Sequence, residues 1–203
     1  VLALLAAACG GESTPTTSPG PGAVSTPEYL AFRAQPTACG AEAPAAARIM
    51  SFDAAGDAAV TGPVDVVLHT SCGPVRLRLD PAAAPATVNS FVFLARQGYF
   101  DGTVSHRVVP GFVFQAGDPT ATGGGDPGYT IPDELPPAGF TYTRGVVAMA
   151  NTGAAHSGGS QFFIALEDIA LAADYTVFGE VVEGLDVLDR IAGLPMGPNP
   201  PDG

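Results

Sequence analysis

The chain of 203 residues contains no lysine and no tryptophan, and only three cysteines and three histidines. No apolar run approaches the roughly 18 residues of a membrane-spanning helix. The cations are eight arginines scattered from Arg33 to Arg190, set against 20 carboxylates, for a formal charge of −12. Affinity for a nucleic-acid backbone needs clustered Lys or Arg, so no nucleic-acid partner is expected. Cys9, Cys39 and Cys72 form no CxxC pair, and His69 near Cys72 has no second pair beside it, so no metal site is expected. Charged residues make up only 14% of the chain against 46% hydrophobic, which provides for a real core and excludes wholesale disorder. Many of the 26 glycines and 20 prolines fall in a front linker and in the loops of the second half. That distribution describes a turn-rich β domain on a tether.

The segment Val1–Ala8, VLALLAAA, ends in small residues at Cys9 and is followed by Gly10-Gly11. It resembles the end of a bacterial lipoprotein signal, although Ala6 stands where Leu is usual and the basic n-region is missing. The resemblance implies a signal remnant over 1–9, a lipid on Cys9, and an extracytoplasmic protein anchored to the bacterial cell membrane. A buried helix start is the alternative. Residues 10–28 are rich in Gly, Ser, Thr and Pro and read as a disordered tether. Residues 29–62 are Ala-rich, with Leu30, Phe32, Ile49, Met50 and Phe52 as anchors, and read as an extension packed loosely on the domain. With Cys9 lipidated, Cys39 and Cys72 remain as a pair in an oxidising compartment, and a disulfide is expected; two unrelated buried thiols are the alternative. Such a staple contributes roughly 3 to 4 kcal/mol on the chain-entropy model.

After Gly62-Pro63 the pattern alternates. VDVVLHT and PVRLRLD flank a Ser-Cys-Gly-Pro turn, with Val75, Leu77 and Leu79 on one face and Arg76 and Arg78 on the other, which predicts a β-hairpin. Pro85 begins a helical pattern through Val88, Phe91, Val92 and Ala95, stopped by Gly98. Short apolar runs between turns from Tyr99 to Gly179 predict several strands. Val182, Leu185, Leu188 and Ile191 then predict a second helix closed by Gly193. Strands with two separated helices argue an antiparallel barrel or sandwich of the α+β kind.

The most specific stretch is SHRVVPGFVFQAGD, Ser105 to Asp118. It continues through PTATGGGDPGYTIPDE, then VAMANTGAAHSGGSQFFI from Val147, then YTVFG from Tyr175. In this order and spacing the segments resemble the cyclophilin family of peptidyl-prolyl isomerases. The resemblance implies a mainly β, closed antiparallel barrel capped by two helices, occupying residues 63–196. No strand pattern follows the second helix, so the chain is expected to lack the final strand, with 197–203 as a truncated tail.

By position, Arg107 matches the family's catalytic arginine, and Phe112, Val113 and Phe163 match the pocket for the proline ring. Gln115 and Gln161 match polar residues beside the substrate. Ala150 and Asn151 match the strip whose backbone pairs with the peptide, Leu171 and Tyr175 complete the pocket wall, and His106 matches a structural histidine. The implied function is rotation about X-Pro bonds, assisting the folding of exported proteins, without metal or cofactor and as a monomer. The partners would be proline-containing segments. Ala170 stands where many members carry Trp, which weakens expected cyclosporin binding more than catalysis, and Tyr175 stands where many carry His.

The chemistry suits these residue types. The X-Pro bond prefers trans by only about 0.5 to 1 kcal/mol, yet a barrier of about 18 to 20 kcal/mol makes its rotation slow. Lowering that barrier requires a grip on the ring and a donor that stabilises the twisted amide, for which a permanently charged Arg is suited. A catalytically weak module that binds Pro-containing segments is the second reading. A serine hydrolase built on His156-Ser157 is a third, but Ala155 stands where a nucleophile elbow needs Gly. The triple glycine Gly123–Gly125 reads as a flexible loop beside the groove.

Overall fold

The computed structural model describes residues 22–195; Cys9, the signal remnant, the tether up to residue 21 and the tail 197–203 lie outside the described residues. Seven strands form one antiparallel sheet curled into a half-barrel. They are β1 (Val64–Thr70), β2 (Gly73–Leu79), β3 (Arg107–Val109), β4 (Val113–Ala116), β5 (Val146–Met149), β6 (Phe162–Ala165) and β7 (Val177–Glu183). Their order is β1-β2-β7-β5-β6-β4-β3. Among the described residues the ladders run from β1 to β3 and none joins those two end strands, so closure into the expected barrel is not seen there.

The first hairpin follows its alternation. Val75, Leu77 and Leu79 are fully buried while Arg78 points out to Asp65 on β1, 2.9 Å away. His69 is exposed. The turn is held by the Thr70 hydroxyl, which donates to the Gly73 carbonyl at 2.6 Å.

Among the described residues three α-helices accompany the sheet, where two were expected: α1 (Pro27–Arg33), α2 (Pro85–Arg96) and α3 (Leu185–Ala192). Helix α2 starts at its proline and ends before Gly98, whose φ of 70° suits glycine. Its N-cap position is Ala84, which has no side chain to offer the first amides. Glu134, distant in sequence, supplies the cap: its two carboxylate oxygens accept from Ala86 N and Thr87 N, each at 2.9 Å. Helix α3 is shorter than the sequence pattern because Val182 belongs to β7. Gly184, at φ 95°, breaks the chain between them.

The main core lies between the inner sheet face and helices α2 and α3. Phe91 of α2 is its centre, with ring centroids 4.9 Å from Phe100, 5.3 Å from Phe162 and 5.3 Å from Phe178. Removing such a ring costs on the order of 3 to 5 kcal/mol.

The extension is docked, not loose, and residues 22–28 at the end of the expected tether are docked with it. Ala23 bridges to Arg48, Val24 is 3% exposed, and Tyr29 of α1 is 1% exposed. The Tyr29 hydroxyl donates to Gly102 O at 2.9 Å and accepts from Ala47 N at 2.6 Å. Cys39 and Cys72 form the expected disulfide, closing a 33-residue separation onto the first hairpin.

Candidate active site

Strand residues of period two face opposite sides of a sheet, and here both sides are apolar. On β4 to β6, Phe114, Ala116, Val147, Met149, Phe162 and Ile164 enter the main core. Their neighbours Val113, Ala148, Phe163 and Ala165 face outward into a second cluster with Tyr142 and Ile169. Phe112, Leu171, Tyr175 and Ala150 pack against that second cluster from its rim.

The register sets these side chains in a row. Arg107 stands opposite Gln115, Gln115 opposite Phe163, and Phe163 opposite Ala148. All therefore share the outward face. The Arg107 guanidinium lies over the Phe112 ring, 5.6 Å from its centroid, a cation–π distance. Phe163 and Tyr175 meet edge to face at 5.4 Å. Tyr142, which the sequence did not single out, fixes Tyr175 from beneath. Its hydroxyl donates to Tyr175 O at 2.9 Å and accepts from Tyr175 N at 3.1 Å. Burial pushes the Tyr142 phenol up, keeping it a donor at neutral pH.

A groove of about 830 Å³ runs over this face and gathers every predicted site residue: His106, Arg107, Phe112, Val113, Gln115, Ala150, Asn151, Gln161, Phe163, Leu171 and Tyr175. One end is apolar, with Val113 and Phe163 only 2% and 4% exposed. The other end is polar. There the Gln115 amide donates to Gln161 Oε1 at 3.2 Å, and the Gln161 amide donates to Gly123 O at 2.8 Å and Gly125 O at 3.0 Å. The Thr122–Asp126 segment forms that wall, which the sequence showed only as a glycine run. It is pinned rather than slack. Asp118, fully buried, accepts from Thr120 N at 2.7 Å, Thr120 Oγ1 at 2.6 Å and Gly123 N at 2.7 Å. A Cβ on Gly125 would collide with the Asp118 carboxylate, so only glycine fits there.

Some side chains serve positioning. Asn151 donates to Asp174 O at 2.8 Å and accepts from Gly153 N at 3.0 Å, leaving its backbone to line the groove. The Ala150 amide is engaged by Gln161 O at 3.0 Å. His106 is 3% exposed, and burial holds its imidazole below the ordinary range against the pull of Asp118. That fits a neutral structural ring rather than a proton carrier. The hydrolase reading loses its pair: Ser157 Oγ donates to Ala154 O at 2.7 Å and accepts from Thr152 N, while His156 Nδ1 accepts from Asp133 N. Both close loops.

The model of the family described as cyclophilin type peptidyl-prolyl cis-trans isomerase/CLD matches residues 65–202. The chain belongs to this family. It is 47% identical to peptidyl-prolyl cis-trans isomerase B of Bacillus subtilis over 113 residues, 55% of this chain and 78% of that one. It is 41% identical to the probable peptidyl-prolyl cis-trans isomerase B of Mycobacterium tuberculosis over 144 residues, 64% of this chain and 46% of that one. The match to an Arabidopsis thaliana isomerase spans only 24% of that protein. Among solved structures, a Cryptosporidium parvum cyclophilin aligns with TM-score 0.63 and 31% identity, covering 69% of this chain and 91% of that one. The same Cryptosporidium parvum cyclophilin crystallised in the presence of the dipeptide Ala-Pro gives TM-score 0.62 and 30% identity, covering 66% and 89%. The cyclophilin domain of this chain is therefore a peptidyl-prolyl cis/trans isomerase in class.

Proposed function

We propose that the groove binds proline-containing segments of exported proteins and accelerates their cis/trans rotation, with Arg107 as the catalytic group. The observation that carries this is the row Arg107, Gln115, Phe163 on one sheet face, with the guanidinium beside an apolar pocket. The proline ring enters between Phe112, Val113, Phe163, Leu171 and Tyr175. Held there, the ring is fixed while the preceding carbonyl turns. As the amide twists, conjugation is lost and the nitrogen becomes pyramidal, so that its lone pair, delocalised in the planar amide, is localised on nitrogen. Arg107 donates to that lone pair, an interaction absent from the planar ground state, so it lowers the barrier rather than merely tightening binding. No bond to the enzyme forms. Gln115, Gln161 and the backbone of Ala150 and Asn151 hold the flanking peptide.

The disulfide and the Cys9 signal pattern support an extracytoplasmic protein, lipid-anchored through Cys9; action as a monomer belongs to the same reading. Incorporation of labelled palmitate, lost in Cys9→Ala, tests the anchor. Closure of the half-barrel across β1 and β3 belongs to the same reading, and exchange-protected edge amides on β1 would support it.

The alternative is a weakly catalytic cyclophilin-like binding module, favoured by exposed Ala170, the neighbour in sequence of the groove residue Leu171. An isomerisation assay on an Ala-Pro peptide separates the two. Acceleration supports the enzyme; peptide binding at the uncatalysed rate selects the module.

A further inference from the structure

The docked N-terminal extension takes in residues 22–28 of the expected tether as well as 29–62, and the groove wall Thr122–Asp126 lies between two of its attachment points. Upstream of the wall, the Thr26 hydroxyl at the start of α1 donates to Thr120 O at 2.5 Å. The next residue, Ala121, is 1% exposed in a cluster with Val24, Tyr29, Ala47 and Val104. Downstream of the wall, Phe52 N donates to Pro127 O at 2.8 Å. Beside it, Gly128 approaches Ser51 and Phe52 so closely that a Cβ would stand 2.7 Å from Phe52 O. The extension is itself anchored to the domain by the Tyr29 hydroxyl and by the Cys39–Cys72 disulfide.

We infer that the extension is a positioning element of the active site. Thr26 and Phe52 act through Thr120 and Pro127 to set the wall whose carbonyls, at Gly123 and Gly125, orient Gln161. The inference rests on the peptide-binding groove proposed above. The wall meets parts of the peptide away from the twisting bond, so it contributes equally to ground and twisted states. Displacing it weakens binding and leaves the chemical step unchanged.

The test uses the full chain with Thr26→Val, Thr26→Ser and Ala121→Gly, an Ala-Pro peptide as probe, and the amide resonances of Gly123, Gly124 and Gly125. Thr26→Val is expected to raise KM about fivefold with kcat within about twofold of wild type, the pattern of lost uniform binding. The three glycine resonances shift with it. Thr26→Ser, which keeps the hydroxyl, restores both. Should Thr26→Val fail to fold, Ala121→Gly decides in the same direction, because it removes only a methyl at φ 60°, where glycine is at ease. Wild-type KM and unshifted glycines in a folded variant overturn the inference. So does a fall in kcat at constant KM, or a Ser variant no better than Val. If wild type accelerates nothing, the functional reading fails, and the glycine resonances alone still decide whether the extension sets the wall.

Discussion

Gln115 donates its side-chain amide to Gln161 at 3.2 Å, and through that contact the Arg107–Gln115–Phe163 row on the sheet meets the glycine wall of the groove. Gln115 itself stands opposite Arg107 in the β3–β4 ladder. The sheet supplies a rigid platform, and the loop supplies the wall that faces it.

Cutting this joint is expected to impair catalysis without unfolding the domain. Gln161→Leu removes the donor to Gly123 O and Gly125 O and should lower kcat/KM about tenfold, the value of one lost polar positioning contact. Steady-state assay with a parallel melting curve checks it. A variant with wild-type kcat/KM would show that the wall is not used.

Helix α2 depends on a cap delivered from across the chain. Glu134→Ala frees Ala86 N and Thr87 N and should destabilise the fold by about 1 to 2 kcal/mol, read in urea denaturation. Glu134→Gln should recover part of that loss.

The Cys39–Cys72 bond closes a 33-residue separation. Its removal as the double Ser variant should cost roughly 3 to 4 kcal/mol by the entropy of the opened loop. Equal denaturation midpoints with and without reductant would contradict this.

How much of this was legible in the sequence depends on where each residue's partners lie. The first hairpin and α2 show their periods because one face of each is buried and the other is wet. Strand β6, FFIA, shows no alternation because Phe162 and Ile164 fill the core while Phe163 and Ala165 fill the site cluster, so all four are buried. The docking of the extension was illegible. It rests on one buried tyrosine hydroxyl and on small residues such as Ala47 and Ala121, which carry no pattern. Likewise the Glu134 cap joins positions 48 and 47 residues apart, beyond any local signal. The residues that line the groove were legible because, Leu171 apart, they fall in the quoted motif segments, while Tyr142, which fixes Tyr175, stands alone between turns.

Stability should fall on mild acidification through His106. Burial lowers its pKa below the ordinary 6.5, so between the folded and unfolded values the unfolded chain binds more protons. The contribution is complete above 6.5, is lost as pH falls below it, and levels off once the folded-state pKa is passed. Melting temperatures at neutral and mildly acidic pH should differ more for wild type than for His106→Gln. An imidazole that titrates at or above its ordinary value by NMR would sink this account.

The central claim is that Arg107 stabilises the twisted amide rather than the bound peptide. Exchange spectroscopy on an Ala-Pro peptide, comparing wild type with Arg107→Ala, measures it directly. Wild type is expected to accelerate cis/trans exchange, and the variant to bind the peptide with similar affinity but lose about 100-fold or more of the acceleration, as for a removed transition-state donor. A folded Arg107→Ala variant that exchanges the peptide as fast as wild type would contradict it.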